Sequence, residues 1–197
     1  MDIESKAAAG QVKGWRLLDR VIPGFSFDSA ELIDKFKERL RTRQFDRCEL
    51  AQAGPREVVQ LGDLEIKFIK GSDMAEVIQD ILYVIKSRGV EVLVRSTFKC
   101  DGASIPRFFW RFIGHPWLAE YRDAAVLHDA LYASELFPRE ICDSIFEEYM
   151  RQLDIPAWKR KAMWLAVRMG GGAVWANHTN ESVEDARKLV LAAAVPA

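Results

Sequence analysis

The chain has 197 residues, 28 Lys and Arg against 29 Asp and Glu, three histidines and a hydrophobic fraction of 49%. That length buries one proper core, as a domain or a domain with a modest appendage, and the composition excludes disordered and fibrous classes. A formal net charge of −1 supplies no global attraction to polyanions, so no specific nucleic acid binding is expected.

Residues 1–50 read as an N-terminal extension with one helix. Asp28-Ser-Ala-Glu31 has the reciprocal cap spacing that opens a helix, and Leu32, Ile33, Phe36 and Leu40 follow as a stripe. The basic run from Lys35 to Arg43 is diluted by acidic neighbours and reads as surface helix. Residues 51–197 read as an α+β domain. Around Gly62-Asp63 the segments EVVQL and LEIKFIK suggest one hairpin, and Ile81–Ile85 with Val90–Val94 around Ser87-Arg88-Gly89 suggest another.

From Pro106 the pattern turns helical, with the core at 106–176. One helix is expected over 121–134, and a second from Pro138 to about Leu153. A third starts at Pro156 with Trp158, Met163, Trp164 and Val167 inward, and ends at Gly170-Gly171-Gly172. A last amphipathic helix is expected over 183–194. The fold class that results is α+β: a small antiparallel sheet of two hairpins, then a helical bundle.

Cys48, Cys100 and Cys142 are odd in number and widely spaced, with no CxxC. Neither a zinc knuckle nor a disulfide framework is signalled, and a reduced compartment fits. MDIESKAAAG has no apolar core and does not read as a secretory signal. Arg168 and the triple glycine interrupt the longest apolar run, so no transmembrane segment is expected. The expected location is a bacterial cytoplasm or a virion.

The stretch RDAAVLHDALYASELFPREICDSIF, Arg122 to Phe146, carries the chemistry. His128 and Tyr132 are four residues apart and share a helix face, while Asp129 lies about 100° round. The short link Glu135-Leu136-Phe137 makes the next helix antiparallel, so Asp143 can turn toward His128. A carboxylate holding one ring nitrogen fixes the tautomer and leaves the other to take a proton from water. Asp129 and Asp101, with carbonyls of the loop Cys100-Asp-Gly-Ala-Ser-Ile-Pro106, could hold Ca²⁺ or another divalent cation. Two bland readings stand beside these: a core histidine between packed helices, and a tight turn at Asp101-Gly102 with Ser104 as a cap.

The spacing Ala124-Ala125-V-L-His128-Asp129-A-L-Tyr132, followed by Cys142-Asp143-S-I-Phe146, resembles the active-site helix pair of phospholipase A2, closest to its disulfide-free form in parvovirus capsids. The resemblance implies His128 as catalytic base, Asp143 as its aspartate, Tyr132 bonding that aspartate, and Asp129 as calcium ligand. Ala124, Ala125 and Leu131 stand where the secreted enzymes have half-cystines. No YGCxCG-like or GPGN-like calcium loop precedes His128.

Over about residues 80–176 the chain is also similar to a small family encoded mainly in bacteriophages and prophages, with the pattern TDxASxP…AAxxHDxLY…ADxxF. That family has no established function. These likenesses imply a hydrolase acting on a lipid or other ester, or a non-catalytic virion or assembly component bound to phage structural proteins. The aromatic segment FFWRFIGHPW, with Phe109, Trp110 and Trp117, and Ser104 nearby, would then be a substrate or partner surface. His115, with His128, Asp129 and Asp143, also resembles the metal set of HD-type phosphohydrolases, at shorter separations.

Overall fold

A computed structural model describes residues 58–102 and 120–194. The expected helix at 28–40, and Ser104, Phe109, Trp110, His115 and Trp117, lie outside the described residues. The strands are β1 Val58–Leu61, β2 Ile66–Phe68, β3 Ala75–Val77, β4 Ile81–Ile85, β5 Val90–Val94, β6 Lys99–Cys100 and, after the helices, β7 Val190–Ala194. The helices are α1 Arg122–Ser134, α2 Arg139–Gln152, α3 Ala157–Ala176 and α4 Asn180–Leu189.

The class is α+β, with two antiparallel sheets ordered β1-β4-β5-β7 and β2-β3-β6. The β4–β5 hairpin forms where expected, with Ile85 opposite Val90. A 3₁₀ turn at Lys86–Arg88 joins the two strands, and Gly89 closes it at φ 63°, a left-handed conformation that glycine adopts without strain. Arg88 then reaches Ser144 at 2.8 Å and Glu148 at 3.2 Å, tying the hairpin to α2.

The other expected hairpin does not form. β1 pairs with β4, and β2 pairs with β3. β1 is buried at Val58, Val59 and Leu61, hence on both faces, and it pairs at the margin of the larger sheet beside the fully buried β4. β2 is largely exposed, and it sits in the smaller sheet. Gly62 reverses the chain at φ 95° between two sheets rather than within one.

α1 and α2 form where the pattern places them. Glu135 ends α1 in the left-handed region at φ 47°, and Arg187 of α4 donates to the Ser134 carbonyl at 2.8 Å. A guanidinium at a helix C-terminus satisfies an otherwise unpaired carbonyl and opposes the helix dipole. Leu136 and Phe137 in the link are both buried, which fixes the antiparallel pair.

Two helix boundaries differ from the sequence pattern. α3 runs through Gly170-Gly171-Gly172 to Ala176. A Cβ on Gly171 would stand 2.4 Å from the Tyr132 hydroxyl, and one on Gly172 would stand 2.9 Å from Arg139. These glycines therefore serve close approach of α3 to α1 and α2 rather than a stop. Trp158 and Trp164 on α3 face solvent, at 62% and 39% exposure, while Met163 and Val167 are buried as expected. The last helix ends at Leu189, and Val190–Ala194 pairs with β5 instead of continuing it.

One face of the larger sheet, with Ile81, Tyr83, Ile85, Val90, Val92 and Val94, joins α1 and α2 in the main core. The opposite face, with Val59, Leu61, Leu82, Val84 and Leu93, forms a separate buried cluster. Among the described residues, no helix is long and apolar enough to cross a membrane.

Candidate functional site

His128 sits mid-way along α1 and Asp143 on the second turn of α2. His128 Nε2 and Asp143 Oδ1 are 2.9 Å apart. The carboxylate is an acceptor, so Nε2 carries a proton, and in the neutral ring Nδ1 holds the lone pair. Asp143 is fully buried and His128 is 4% exposed. Phe146 and Tyr132 both pack on the imidazole, with ring centroids 4.8 and 4.6 Å away. Both rings come from the same two helices, and together with the carboxylate they leave the imidazole one orientation. Among the described residues no partner reaches Nδ1.

The second oxygen of Asp143 is the part that sequence reading missed. Arg168 of α3 donates to Oδ2 at 3.1 Å, and Arg139, one turn earlier on α2, lies 3.8 Å from it. Arg139 also donates to the Arg168 carbonyl. A buried carboxylate needs charge compensation, and here two guanidiniums from two helices supply it. The i, i+4 spacing of Arg139 and Asp143 was visible in the sequence. Arg168 was not recoverable, because its register against α2 depends on the close approach that Gly171 and Gly172 permit.

Tyr132 departs from the role implied by the phospholipase likeness. It stacks on His128, but its hydroxyl makes no hydrogen bond to Asp143 and lies near Arg139 without reaching bonding geometry. The ring's far side meets Trp175 edge-on at 5.0 Å. Arg168 takes the place that the resemblance gave to a tyrosine. His178, half-buried in the link between α3 and α4, closes this column of rings: it packs on Trp175 and pairs with Glu135 at 2.9 Å.

Asp129 points away from the His128 pair, toward the β6 exit. Its Oδ2 accepts from the Gly102 N–H at 2.9 Å, and Gly102 adopts φ 80° to present that amide. Burial first, and then the charge of Asp101, hold the Asp129 carboxyl well above the usual carboxylate range. Calcium takes six to eight oxygens. Among the described residues no group of three or more His, Cys, Asp or Glu could hold a metal, and one Asp129 oxygen already has a backbone donor. The Gly102–Asp129 bond thereby tethers the β6 exit to α1. His115, the second histidine of the phosphohydrolase-like set, lies outside the described residues.

Residues 75–167 match the family described as Protein of unknown function (DUF1353). An uncharacterized protein, y4jT, of Sinorhizobium fredii is 40% identical over 85 residues, which is 42% of this chain. The aligned part amounts to 25% of that relative's length. No solved structure matches. The family match contains His128, Asp129, Arg139 and Asp143, and it stops one residue short of Arg168.

Proposed function

We propose that the protein is a hydrolase of an ester or similar bond, in which His128 is the general base and water the nucleophile. The observation that carries this reading is the polarity of the buried pair. Asp143 accepts from Nε2–H at 2.9 Å and so leaves the lone pair on Nδ1, the atom with no partner among the described residues. In the reaction Nδ1 takes a proton from water as the hydroxide attacks the carbonyl carbon, and Asp143 holds the imidazolium that results. The leaving alkoxide is protonated from that imidazolium as the tetrahedral adduct collapses. Arg168 and Arg139 hold the second oxygen of Asp143 and so aim the carboxylate; they are positioning residues. Phe146 and Tyr132 fix the ring plane.

The test is a panel of p-nitrophenyl esters and phosphatidylcholine vesicles, with His128→Ala and Asp143→Asn as controls. Turnover lost in both variants, with the melting temperature only modestly lowered, supports the base. One observation favours a rival from another class. His128 is 4% exposed and Asp143 fully buried, as in a network that locks three helices together for a non-catalytic assembly or virion protein. That rival gains if no ester is cleaved and His128→Ala melts far below the parent.

A further inference from the structure

We infer that α3 docks on the α3 of a second copy of this chain, antiparallel and about a two-fold axis, through an apolar seam on its outer side. Trp158, Ala162, Leu165, Met169, Gly172 and Ala176 follow one another at alternating steps of four and three residues. That is the spacing of helices that wrap round one another, and at 100° per residue it draws one line along the helix. The buried residues of α3, Lys159, Met163, Ala166, Val167 and Gly171, lie on the other side. Trp158 is solvent-facing, Leu165 is 48% exposed and Met169 70%. Ala176 is exposed, and Ala162 and Gly172 are half-exposed. A helix apolar on every side belongs in an interior. α3 has no acidic residue, and none of its four cations stands on this line.

The order of side chains along the seam selects the partner. With the two-fold axis level with Val167, Trp158 faces the partner's Ala176, Ala162 faces the partner's Gly172, and Leu165 faces the partner's Met169. The largest side chain thus meets a methyl, the two smallest residues let the backbones approach, and two side chains of similar size fill the centre. A parallel pair would stack Trp158 on itself and Gly172 on itself, which leaves one layer overfilled and another empty. Near the axis Arg168 approaches its own copy, but each guanidinium is already held by Asp143 at 3.1 Å and Glu140 at 3.5 Å. The contact therefore brings no unpaired cations together. Trp158, Leu165 and Met169 leave open roughly 400 Å² of apolar surface per copy, within the size of a functional patch. With its polar rim the pair buries about 1,000–1,200 Å², the lower limit of a specific interface. The dimer is accordingly reversible, with a Kd on the order of 1–100 µM.

Sedimentation equilibrium on the full chain tests this. The parent should pass from the monomer mass to twice that mass between about 1 and 500 µM. Leu165→Glu and Met169→Lys each put a charge into both central layers, and each should weaken association by more than about 10-fold. An equimolar mixture of the two variants sets the new carboxylate against the new ammonium in one central layer and leaves the other layer native. It should associate within about 10-fold of the parent. Should either variant fail to fold, oxidation of Met169 by peroxide in the parent gives a second reading, and it should slow several-fold as the protein is concentrated. A parent that stays monomeric over that range overturns the inference, as does a dimer untouched by either variant. A mixture no tighter than the single variants overturns the antiparallel register. Phosphatidylglycerol vesicles that bind a monomeric parent and slow the same oxidation would give the seam to lipid instead.

Discussion

Exchanging Asp143 for Asn keeps the shape of the side chain and removes its charge, and the two hydrogen bonds it makes determine how the imidazole responds. The carboxylate accepts on both oxygens, from His128 at 2.9 Å and from Arg168 at 3.1 Å. A carboxamide has one acceptor oxygen, and its amino group must face the other partner. A guanidinium cannot accept, so the oxygen goes to Arg168 and the amino group to His128. The imidazole must then present a lone pair at Nε2 and carry its proton on Nδ1. The base is lost, at a cost on the order of 10³–10⁴ in turnover.

Stability falls less. Breaking a buried ion pair costs about 3–5 kcal/mol when the remaining charge is stranded. Arg168, however, is 30% exposed and lies 3.5 Å from Glu140, so its charge has another outlet and the cost drops to about 1–2 kcal/mol. For a chain of this size that lowers the melting temperature by ~2–8 °C. Nitrogen-15 shifts of the labelled histidine ring report the tautomer directly and need no substrate. A variant whose ring keeps its proton on Nε2 would refute the assigned polarity. One that melts with the parent would refute the view that this carboxylate neutralises the two arginines.

Asp129→Asn should flatten a pH dependence. With the folded carboxyl held high by burial and by Asp101, the native state keeps a proton that the unfolded chain has released. Stability therefore falls as pH rises from the ordinary carboxylate range through the folded value. The variant keeps an acceptor for Gly102 and should be at least as stable as the parent at neutral pH, read from urea midpoints between about pH 5 and 8. Stabilisation of the parent alone by millimolar Ca²⁺ would instead put a cation between the two carboxylates. Gly171→Ala gains about 1 kcal/mol in helix propensity but forces a methyl against a tyrosine pinned by His128 and Trp175. Overpacking of about 1–3 kcal/mol outweighs the gain, and a variant more stable than the parent in a denaturant melt would show that the close approach is slack. Tyr132→Phe should change stability by less than about 1 kcal/mol and leave the His128 tautomer intact, because the hydroxyl holds neither neighbour; a shifted ring signal would restore the bond that the phospholipase likeness implies.

The His128–Asp143 pair was legible because every step toward it is local. Helical periodicity set the two faces, three linking residues set the antiparallel turn, and a four-residue spacing set Tyr132 beside the ring. What escaped was decided at long range. Gly170-Gly171-Gly172 obeys a helix-stop rule by composition, yet contact with Tyr132 and Arg139 uses the same residues to admit a neighbouring helix. Val190–Ala194 is alanine-rich and helix-prone, and ladder pairing with β5 overrides that preference. Gly62-Asp63 does turn the chain, but which strand lies beside β1 is set by burial on both of its faces. Arg168 could be assigned to Asp143 only once the helices were in contact.

The pairing of β7 with β5 has a temporal side. β7 completes the β5 margin only after about a hundred further residues have been made, since Val94 partners Val190. At ~5–20 residues per second of synthesis the flank of β5 stays open for roughly 5–20 s. During that interval the β7-facing edge of β5 offers unpaired amides and carbonyls to any extended peptide nearby. Crowded overexpression should therefore send the chain toward inclusion bodies through that one ribbon of backbone.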